Sequence, residues 1–199
     1  KRLIVELMGK HSNIIFCKED GTILDSIKHI SAQVSSVREV LPGRMYFIPH
    51  TVDKADPLIV TEEEFQTLLR SAPMPVQKAL YQKLTGISPL IGTELCHLAS
   101  LEGEKPASEL SENELTHLYR MFSLMMEDVK EGRFFPNIIY ENGAPAEFAS
   151  VPLTCFEGAG YESRPSSSIS SLLETYYAEK SVITRIRQKS VDLRKLCQR

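Results

Sequence analysis

A short polar segment between two apolar runs carries the side chains of this sequence that are best suited to binding chemistry. It spans residues 6–13 and reads ELMGKHSN, with RLIV before it and IIFC after it. Lysine suits phosphate oxygens, histidine and asparagine suit the edges of unpaired bases, and methionine stacks on a base. These residue types predict an outward-facing contact site at the tip of a strand-turn-strand unit, in which Gly9 sets the turn.

Basic residues accumulate in the same part of the chain, most of them near predicted strand ends or loops. The candidates for contact at the tip are Glu6, Met8, Lys10, His11 and Asn13. The basic residues that we expect to support them are Lys28, His29, Arg38 and Arg44. The alternative interpretation is a solvated sheet edge, on which Gly9 and Asn13 only shape a turn.

A second candidate site lies in the sequence KALYQKLTGISPLIG, residues 78–92, which has the pattern of two helices joined by a tight hairpin. Free backbone amides and the positive end of the second helix would face a phosphate there. The predicted phosphate-binding residues are Lys83, Gly86, Ile87 and Ser88, and the predicted apolar contacts are Leu84, Ile87 and Ile91. The alternative is an ordinary pair of packed helices, because Ser88 stands where such hairpins usually have a second glycine.

The sequence contains no motif for other kinds of catalytic or cofactor site. The histidines and cysteines lack metal-ligand spacing, and neither a GxSxG elbow nor a P-loop is present. The carboxylates crowd into segments such as TEEE and SENE, which suit helix starts. We therefore expect no metal, no cofactor and no catalytic residue.

The hydrophobic periodicity predicts an α+β protein with antiparallel strands. Period-two runs predict a β-meander, with strands over residues 2–7, 13–17, 22–30 and 44–48. The period then changes toward 3.6, and the predicted helices cover residues 62–70, 75–84, 89–101 and 111–130. An Asn-Gly turn at residues 142–143 predicts a late hairpin that rejoins the first sheet, so that the helices form an inserted subdomain.

We expect four parts in the chain: a β domain over residues 1–56, a helical subdomain over 57–132, the late hairpin over 133–160, and a flexible linker with the start of a coiled coil over 161–199. Apolar residues at alternating steps of three and four predict the coiled coil. Its stripe comprises Ile169, Leu172, Tyr176, Glu179, Ile183, Ile186, Ser190, Leu193 and Cys197, with Glu179 and Ser190 as polar interruptions. Both ends of the sequence fall within predicted elements, so we expect an internal fragment of a longer protein.

The composition narrows the class of protein. The formal net charge of the 199 residues is -3, so any contact with nucleic acid must come from a local patch. The four cysteines have no CxxC spacing, which favours reduced thiols over a disulfide framework. No apolar run approaches the length of about 18 residues typical of a membrane helix, and no signal segment is apparent. We expect a cytoplasmic protein without a membrane partner.

Four segments of the sequence resemble the NFACT family, known in many Gram-positive bacteria as fibronectin-binding protein A. They are LIVELMGKHSNIIF, DGTILDSIKHI, SSVREVLPGRMYFIP and LLETYYAEKSVITRIRQKSVDL. They occur in order over essentially the whole chain, and MGKHSN and LPG are the most specific. The resemblance implies an incomplete domain similar to formamidopyrimidine DNA glycosylases, a helix-hairpin-helix module and the start of a long coiled coil.

The resemblance also implies a role in ribosome-associated quality control. Family members bind the large ribosomal subunit obstructed by a peptidyl-tRNA, and in bacteria they recruit alanyl-tRNA for C-terminal alanine tailing of stalled peptides. A Glu-Leu/Ile-Met segment belongs to the tRNA-facing surface of the family and matches Glu6, Leu7 and Met8. The implied tRNA-binding residues are therefore Glu6, Leu7, Met8, Gly9, Lys10, His11 and Asn13. Bond formation would be left to the ribosome.

Two other functions remain open. The older family name implies a surface adhesin that binds fibronectin or fibrinogen, and a glycosylase-like fold is compatible with DNA repair. The absence of a signal segment and of disulfide spacing favours the cytoplasmic factor. Fold alone does not establish base excision, and the catalytic residues from the start of the glycosylase domain are missing.

Overall fold

The computed structural model describes residues 1–7, 9–35, 37–48, 54–158 and 160–197, without the side chains of residues 10, 187, 188 and 190–197. The chain divides into two compact units, Lys1–Asp53 and Lys54–Arg199. Each unit has its own antiparallel sheet, and the described α-helices belong to the second. The predicted α+β class with antiparallel sheets is confirmed.

The sheet of the first unit has three strands in the order β1-β2-β3. Their bounds are Arg2–Glu6 for β1, Asn13–Cys17 for β2 and Ile23–Ser26 for β3. A short 3-10 helix, Gly9–His11, connects β1 to β2 at the predicted turn. Alternate residues of β2 are buried, because successive side chains of a strand point to opposite faces. The core on the inner face comprises Ile15, Cys17, Ile23 and Val40.

The fourth strand predicted for residues 44–48 is not formed. The chain returns beside β3, where the amide of Ile23 donates to the carbonyl of Arg44 and the amide of Tyr46 donates to the carbonyl of Gly21. Gly21 belongs to the turn between β2 and β3 and has a φ of 89°. The chain beyond Tyr46 therefore meets no strand with which to continue the ladder.

Four helices open the second unit. Their bounds are Glu62–Arg70 for α1, Val76–Lys83 for α2, Pro89–Leu98 for α3 and Glu112–Lys130 for α4. Thr61 and Ser111 cap the starts of α1 and α4 with capping boxes. In each box the hydroxyl of the cap residue accepts from the backbone N–H of the glutamate three residues later, and the carboxylate of that glutamate accepts from the backbone N–H of the cap residue. The third helix is shorter than predicted, because Ser100 adopts a left-handed φ of 53° just after its end.

The late strands form a separate sheet in the second unit, with the order β5-β4-β6. Their bounds are Asn137–Glu141 for β4, Ala144–Ala149 for β5 and Tyr161–Pro165 for β6. The prediction that the late hairpin rejoins the first sheet is therefore wrong, and so is the flexible linker over residues 161–165. The cause is that β4 is buried on both faces. Ile139 belongs to the helical core on one face. On the other face, Ile138 and Tyr140 pack against the C-terminal helix α5, whose bounds are Ile169–Cys197.

The first turns of α5 pack on this second sheet. Leu172 and Tyr176 are buried against Ile138 and Phe148, and the hydroxyl of Tyr176 donates to the carbonyl of Ala146 at 2.8 Å. These two helix residues belong to the stripe that was predicted to form a coiled coil. Within the chain, this part of the stripe is used for docking to a sheet, which corrects the prediction for these residues.

The polar interruption of the stripe at Glu179 also has a partner in the sheet. Burial raises the pKa of the Tyr140 hydroxyl, and the nearby carboxylate of Glu179 raises it further. Glu179 therefore interacts with β4 at the position where a coiled coil would need an apolar residue. The stripe residues Ser190, Leu193 and Cys197 lie outside the described side chains.

The docking of α5 predicts a large difference between two adjacent leucines. Leu172 is 0% exposed and Leu173 is 36% exposed. Truncation of a buried leucine leaves a cavity, so we expect Leu172→Ala to lower the free energy of unfolding by about 2 to 5 kcal/mol. The control Leu173→Ala should cost less than about 1 kcal/mol. Urea unfolding followed by circular dichroism measures both, and equal losses would contradict this packing.

Candidate nucleic-acid interface

The tip between β1 and β2 presents part of the predicted site to solvent. Leu7 is 86% exposed, and His11 is also exposed. Gly9 has a φ of 54°, a left-handed conformation that glycine adopts without strain, so it sets the turn as predicted. Met8 and the side chain of Lys10 lie outside the described residues.

Asn13 is buried, so its predicted outward orientation is wrong. Only 4% of the residue is exposed. Its Nδ2 donates to the carbonyl of Lys28 at 2.9 Å, and its Oδ1 accepts from the amide of Lys28 at 2.9 Å and from the amide of Ile14 at 3.0 Å. Strand β3 ends at Ser26 rather than at residue 30. Beyond its end, the side chain of Asn13 makes the hydrogen bonds to the backbone of Lys28 that a neighbouring strand would otherwise make.

The side chain of Glu6 is also directed into the unit, and the expectation that it faces a partner is wrong. Its carboxylate accepts hydrogen bonds from Nη2 of Arg38 at 2.7 and 2.5 Å and from the hydroxyl of Tyr46 at 3.0 Å. The Arg38 and Glu6 side chains are only 6% and 9% exposed. Nη1 of Arg38 donates to the carbonyl of Phe47 at 2.8 Å, so one guanidinium joins three segments of the unit.

The environment of this ion pair also affects the tyrosine beside it. Burial raises the pKa of the Tyr46 hydroxyl, and its hydrogen bond to the Glu6 carboxylate acts in the same direction. The guanidinium of Arg38 lies over the Tyr46 ring, with 5.6 Å between its Cζ and the ring centroid. Arg38 is therefore part of a buried cluster, and it is not available as a basic support for a ligand.

The other predicted supporting cations lie at the surface. His29 is exposed and places Nε2 2.8 Å from Oδ1 of Asp25, and this hydrogen bond lowers the pKa of the Asp25 carboxyl. Arg44 is exposed and places Nε 2.8 Å from the carboxylate of Glu39. Lys28 is exposed too, and its backbone is fixed by Asn13. His29 and Arg44 thus each have an acidic neighbour.

Next to the tip, the outer face of the first sheet is apolar and exposed. Strand pairing places its side chains on the face opposite the small core. The strand residues are Leu3, Val5, Ile14 and Phe16, and the exposed Ile27 follows β3, where its amide donates to the carbonyl of Ile14. Sequence reasoning on polar residues missed this surface, although the nearly unbroken apolar runs of β1 and β2 are typical of strands covered on both faces.

The helical hairpin of the second unit has the predicted local geometry. Gly86 has a φ of 74°, and Leu84 and Ile87 are buried in the helical core. The Ser88 hydroxyl accepts from the amide of Ile91 at 3.2 Å and so caps α3. In the described part of the chain, the backbone amides of residues 87, 88 and 90 have no intramolecular hydrogen bond. Phosphate binding at this hairpin stays a prediction.

Sequence reasoning also missed a buried carboxylate. Glu94 on α3 is fully buried, accepts from the amides of Thr154 and Cys155 at 2.8 and 2.9 Å, and accepts from the Thr154 hydroxyl at 2.6 Å. Burial, assisted by Glu94, raises the pKa of the Cys155 thiol to about 12. A thiol with this pKa is protonated at neutral pH and is a poor nucleophile.

The described residues contain no group of side chains arranged as a metal site. Cys17, Cys96 and Cys155 are free thiols. Within the described ranges, no three histidine, cysteine or acidic side chains come together as metal ligands. In the same ranges, no helix has both the length and the apolar character needed to cross a membrane.

The chain belongs to the family described as NFACT N-terminal and middle domains, whose model matches residues 1–199. The predicted family membership is thereby confirmed. The resemblance seen in four segments extends over the whole sequence.

The curated proteins to which the chain is similar include two called Rqc2 homolog RqcH. It is 35% identical to the one from Bacillus subtilis over 97% of this chain and 31% of the relative. It is 29% identical to the one from Streptococcus suis over 96% of this chain and 30% of the relative. The chain therefore spans about a third of the length of these relatives.

Solved structures support the fold. A fibrinogen binding protein from Staphylococcus aureus matches with a TM-score of 0.67 at 24% identity, covering 88% of this chain and 58% of that one. The N-terminal part of a fibronectin/fibrinogen-binding protein from Streptococcus suis matches with a TM-score of 0.57 at 28% identity, over 88% of this chain and 56% of that one.

The buried ion pair predicts unequal effects of two glutamate substitutions in the first unit. Removal of Glu6 leaves the Arg38 charge buried without its partner, so Glu6→Ala should destabilise the unit by about 3 to 5 kcal/mol. Glu39 pairs with the exposed Arg44, and Glu39→Ala should cost less than about 1 kcal/mol. Urea unfolding followed by the NMR methyl signals of Ile15 and Ile23 reports on this unit. Similar midpoints for both variants would contradict the assigned role of Glu6.

Proposed function

We propose that this chain is part of a ribosome-associated quality-control factor. The protein binds obstructed large ribosomal subunits carrying peptidyl-tRNA and recruits tRNA, specifically alanyl-tRNA, for C-terminal alanine tailing of stalled peptides. Membership of the NFACT family and similarity to the proteins called Rqc2 homolog RqcH support this proposal. The factor acts by binding in the cytoplasm, and the ribosome forms the bonds.

The observation that carries this proposal is the tip of the first unit. Its backbone turns outward at Gly9–His11, with Leu7 and His11 exposed. Behind it, Glu6 is fixed by Arg38 and Asn13 is fixed by Lys28. Anchoring on both sides reduces the conformational entropy that the tip loses on binding, because the two residues that flank it are already held in place.

The proposed roles within the tip differ from residue to residue. The tRNA-contacting residues are Leu7, Met8, Gly9, Lys10 and His11. Glu6 and Asn13 position the tip from inside the unit, since their side chains are buried and bonded. Lys28 supplies a further cation beside the tip. The side chain of Asn13 positions this residue through hydrogen bonds to the backbone carbonyl and amide of Lys28. Cations near an exposed turn suit the phosphates and unpaired bases of a folded RNA.

The second unit adds a proposed phosphate contact. The free amides of residues 87, 88 and 90 lie at the N-terminal end of α3, which carries partial positive charge. We assign this element as a helix-hairpin-helix that contacts the RNA backbone, with Lys83 as the adjacent cation. The first unit would correspond to part of a domain similar to formamidopyrimidine DNA glycosylases.

A second candidate function is that of a surface adhesin for fibronectin or fibrinogen. The observation that favours it is the 28% identity to the Streptococcus suis fibronectin/fibrinogen-binding protein, with a TM-score of 0.57. Biotinylation of intact cells separates the two functions. Labelled protein at the surface would support the adhesin, and protein found only in the lysate would count against it.

The tRNA proposal predicts losses of affinity on substitution at the tip. Lys10→Ala and His11→Ala in the full-length protein should each weaken tRNA binding by about three- to tenfold, because one favourable contact is lost. Lys10→Ala should also reduce the slope of log K against log salt concentration by about 1, since one phosphate contact is removed. Filter binding at several salt concentrations measures both quantities.

Matched controls lie in the second unit. His117 and Lys130 are exposed on α4, and His117→Ala and Lys130→Ala should leave the affinity for tRNA unchanged. If both tip variants bind like the unaltered protein at every salt concentration, the tip is not the contact site.

A further inference from the structure

A cavity of about 330 Å³ lies beside the second sheet. Strand pairing places Ser163 of β6 opposite Ile139 of β4, and Ile139 belongs to the helical core. Because alternate residues share a face, Asn137 and Tyr161 lie on the same side of the sheet as these two. The cavity is therefore bounded by this face of the sheet and by the segment that follows β5. Its size is at the lower end for ligand pockets, which suits a single side chain.

A buried hydrogen-bond acceptor lines this cavity without a partner. Asn137 is 0% exposed, and its Nδ2 donates to the carbonyls of Phe135 at 2.8 Å and Val151 at 2.6 Å. These two acceptors fix the orientation of the amide, since only the nitrogen has protons to donate. In the described part of the chain, Oδ1 has no hydrogen-bond partner. Asn137 lines the cavity, so this unpaired acceptor belongs to a residue of the cavity wall.

Aromatic rings form a second feature of the cavity. The rings of Phe156 and Tyr161 lie 5.3 Å apart between centroids at an angle of 62°. Phe135 lines the same cavity and is half exposed. The faces of such rings attract cations, and planar cations stack on them best.

The charge around the cavity selects against anions. Glu157 lines it, is exposed, and forms no ion pair with a described residue. No lysine or arginine is among the described lining residues. A phosphate would meet a carboxylate and an unpaired carbonyl oxygen, with no cation to balance its charge. A group that donates hydrogen bonds and carries positive charge meets complementary partners instead.

We propose that this cavity binds the guanidinium of an arginine side chain from a basic protein segment. The guanidinium is planar, permanently charged and has five N–H donors. It stacks on the aromatic walls, pairs with Glu157 and donates toward Oδ1 of Asn137. This protein-binding site is separate from the proposed tRNA contacts, and its assignment does not depend on them.

The test uses the 199-residue chain and three short peptides that differ only at a central arginine, lysine or citrulline. Citrulline keeps the planar shape but lacks the charge. NMR titration should show shifts of the Asn137 side-chain amide with the arginine peptide, and at least about fivefold weaker binding of the other two. Equal binding of arginine and citrulline, or no binding of the arginine peptide, would overturn the proposal.

Two variants locate the site. Glu157→Gln should weaken binding of the arginine peptide by about three- to tenfold, because the paired charge is removed. Glu147→Gln, a matched change at an exposed position of β5, should leave binding unchanged. Equal effects of the two variants would overturn the assignment. Tighter binding of adenosine or cytidine than of the arginine peptide would identify a base pocket and would likewise overturn it.

Discussion

The buried ion pair between Glu6 and Arg38 is the interaction on which the geometry of the first unit depends. Its two side chains lie in the same polypeptide but 32 residues apart, and Arg38 also holds the carbonyl of Phe47. A charge removed from water needs a close partner of opposite sign, so neither residue is replaceable alone. The pair therefore fixes the end of β1, the point from which the exposed tip departs.

The tip thus has residues of two kinds, which play different roles. Asn13 and Glu6 direct their side chains inward and replace the backbone contacts that a short, irregular sheet does not provide. Leu7 and His11 remain outside, on a turn that Gly9 permits. In the second unit, β4 has a comparable role as a fixed element, because the helical core and α5 cover its two faces. Both units use a small sheet as the frame for exposed loops.

The parts of this architecture that sequence could predict are those with local causes. Thr61 and Ser111 predict helix starts because each has a glutamate three residues later, which completes a capping box. The Asn-Gly pair predicts the turn between β4 and β5. The orientation of Glu6 depends on a residue far along the chain, and a polar residue near a turn does not reveal its partner. Strand β6 was hidden because its residues, YESRP, lack an apolar pattern and are all exposed at the sheet edge.

The most direct test of the account is the reactivity of His11 toward diethyl pyrocarbonate in the full-length protein, with and without bound tRNA. Direct contact at the tip predicts that tRNA protects the imidazole of His11, while the exposed His117 on α4 reacts as before. Unaltered reactivity of His11 under conditions in which tRNA is bound would contradict direct contact at the tip.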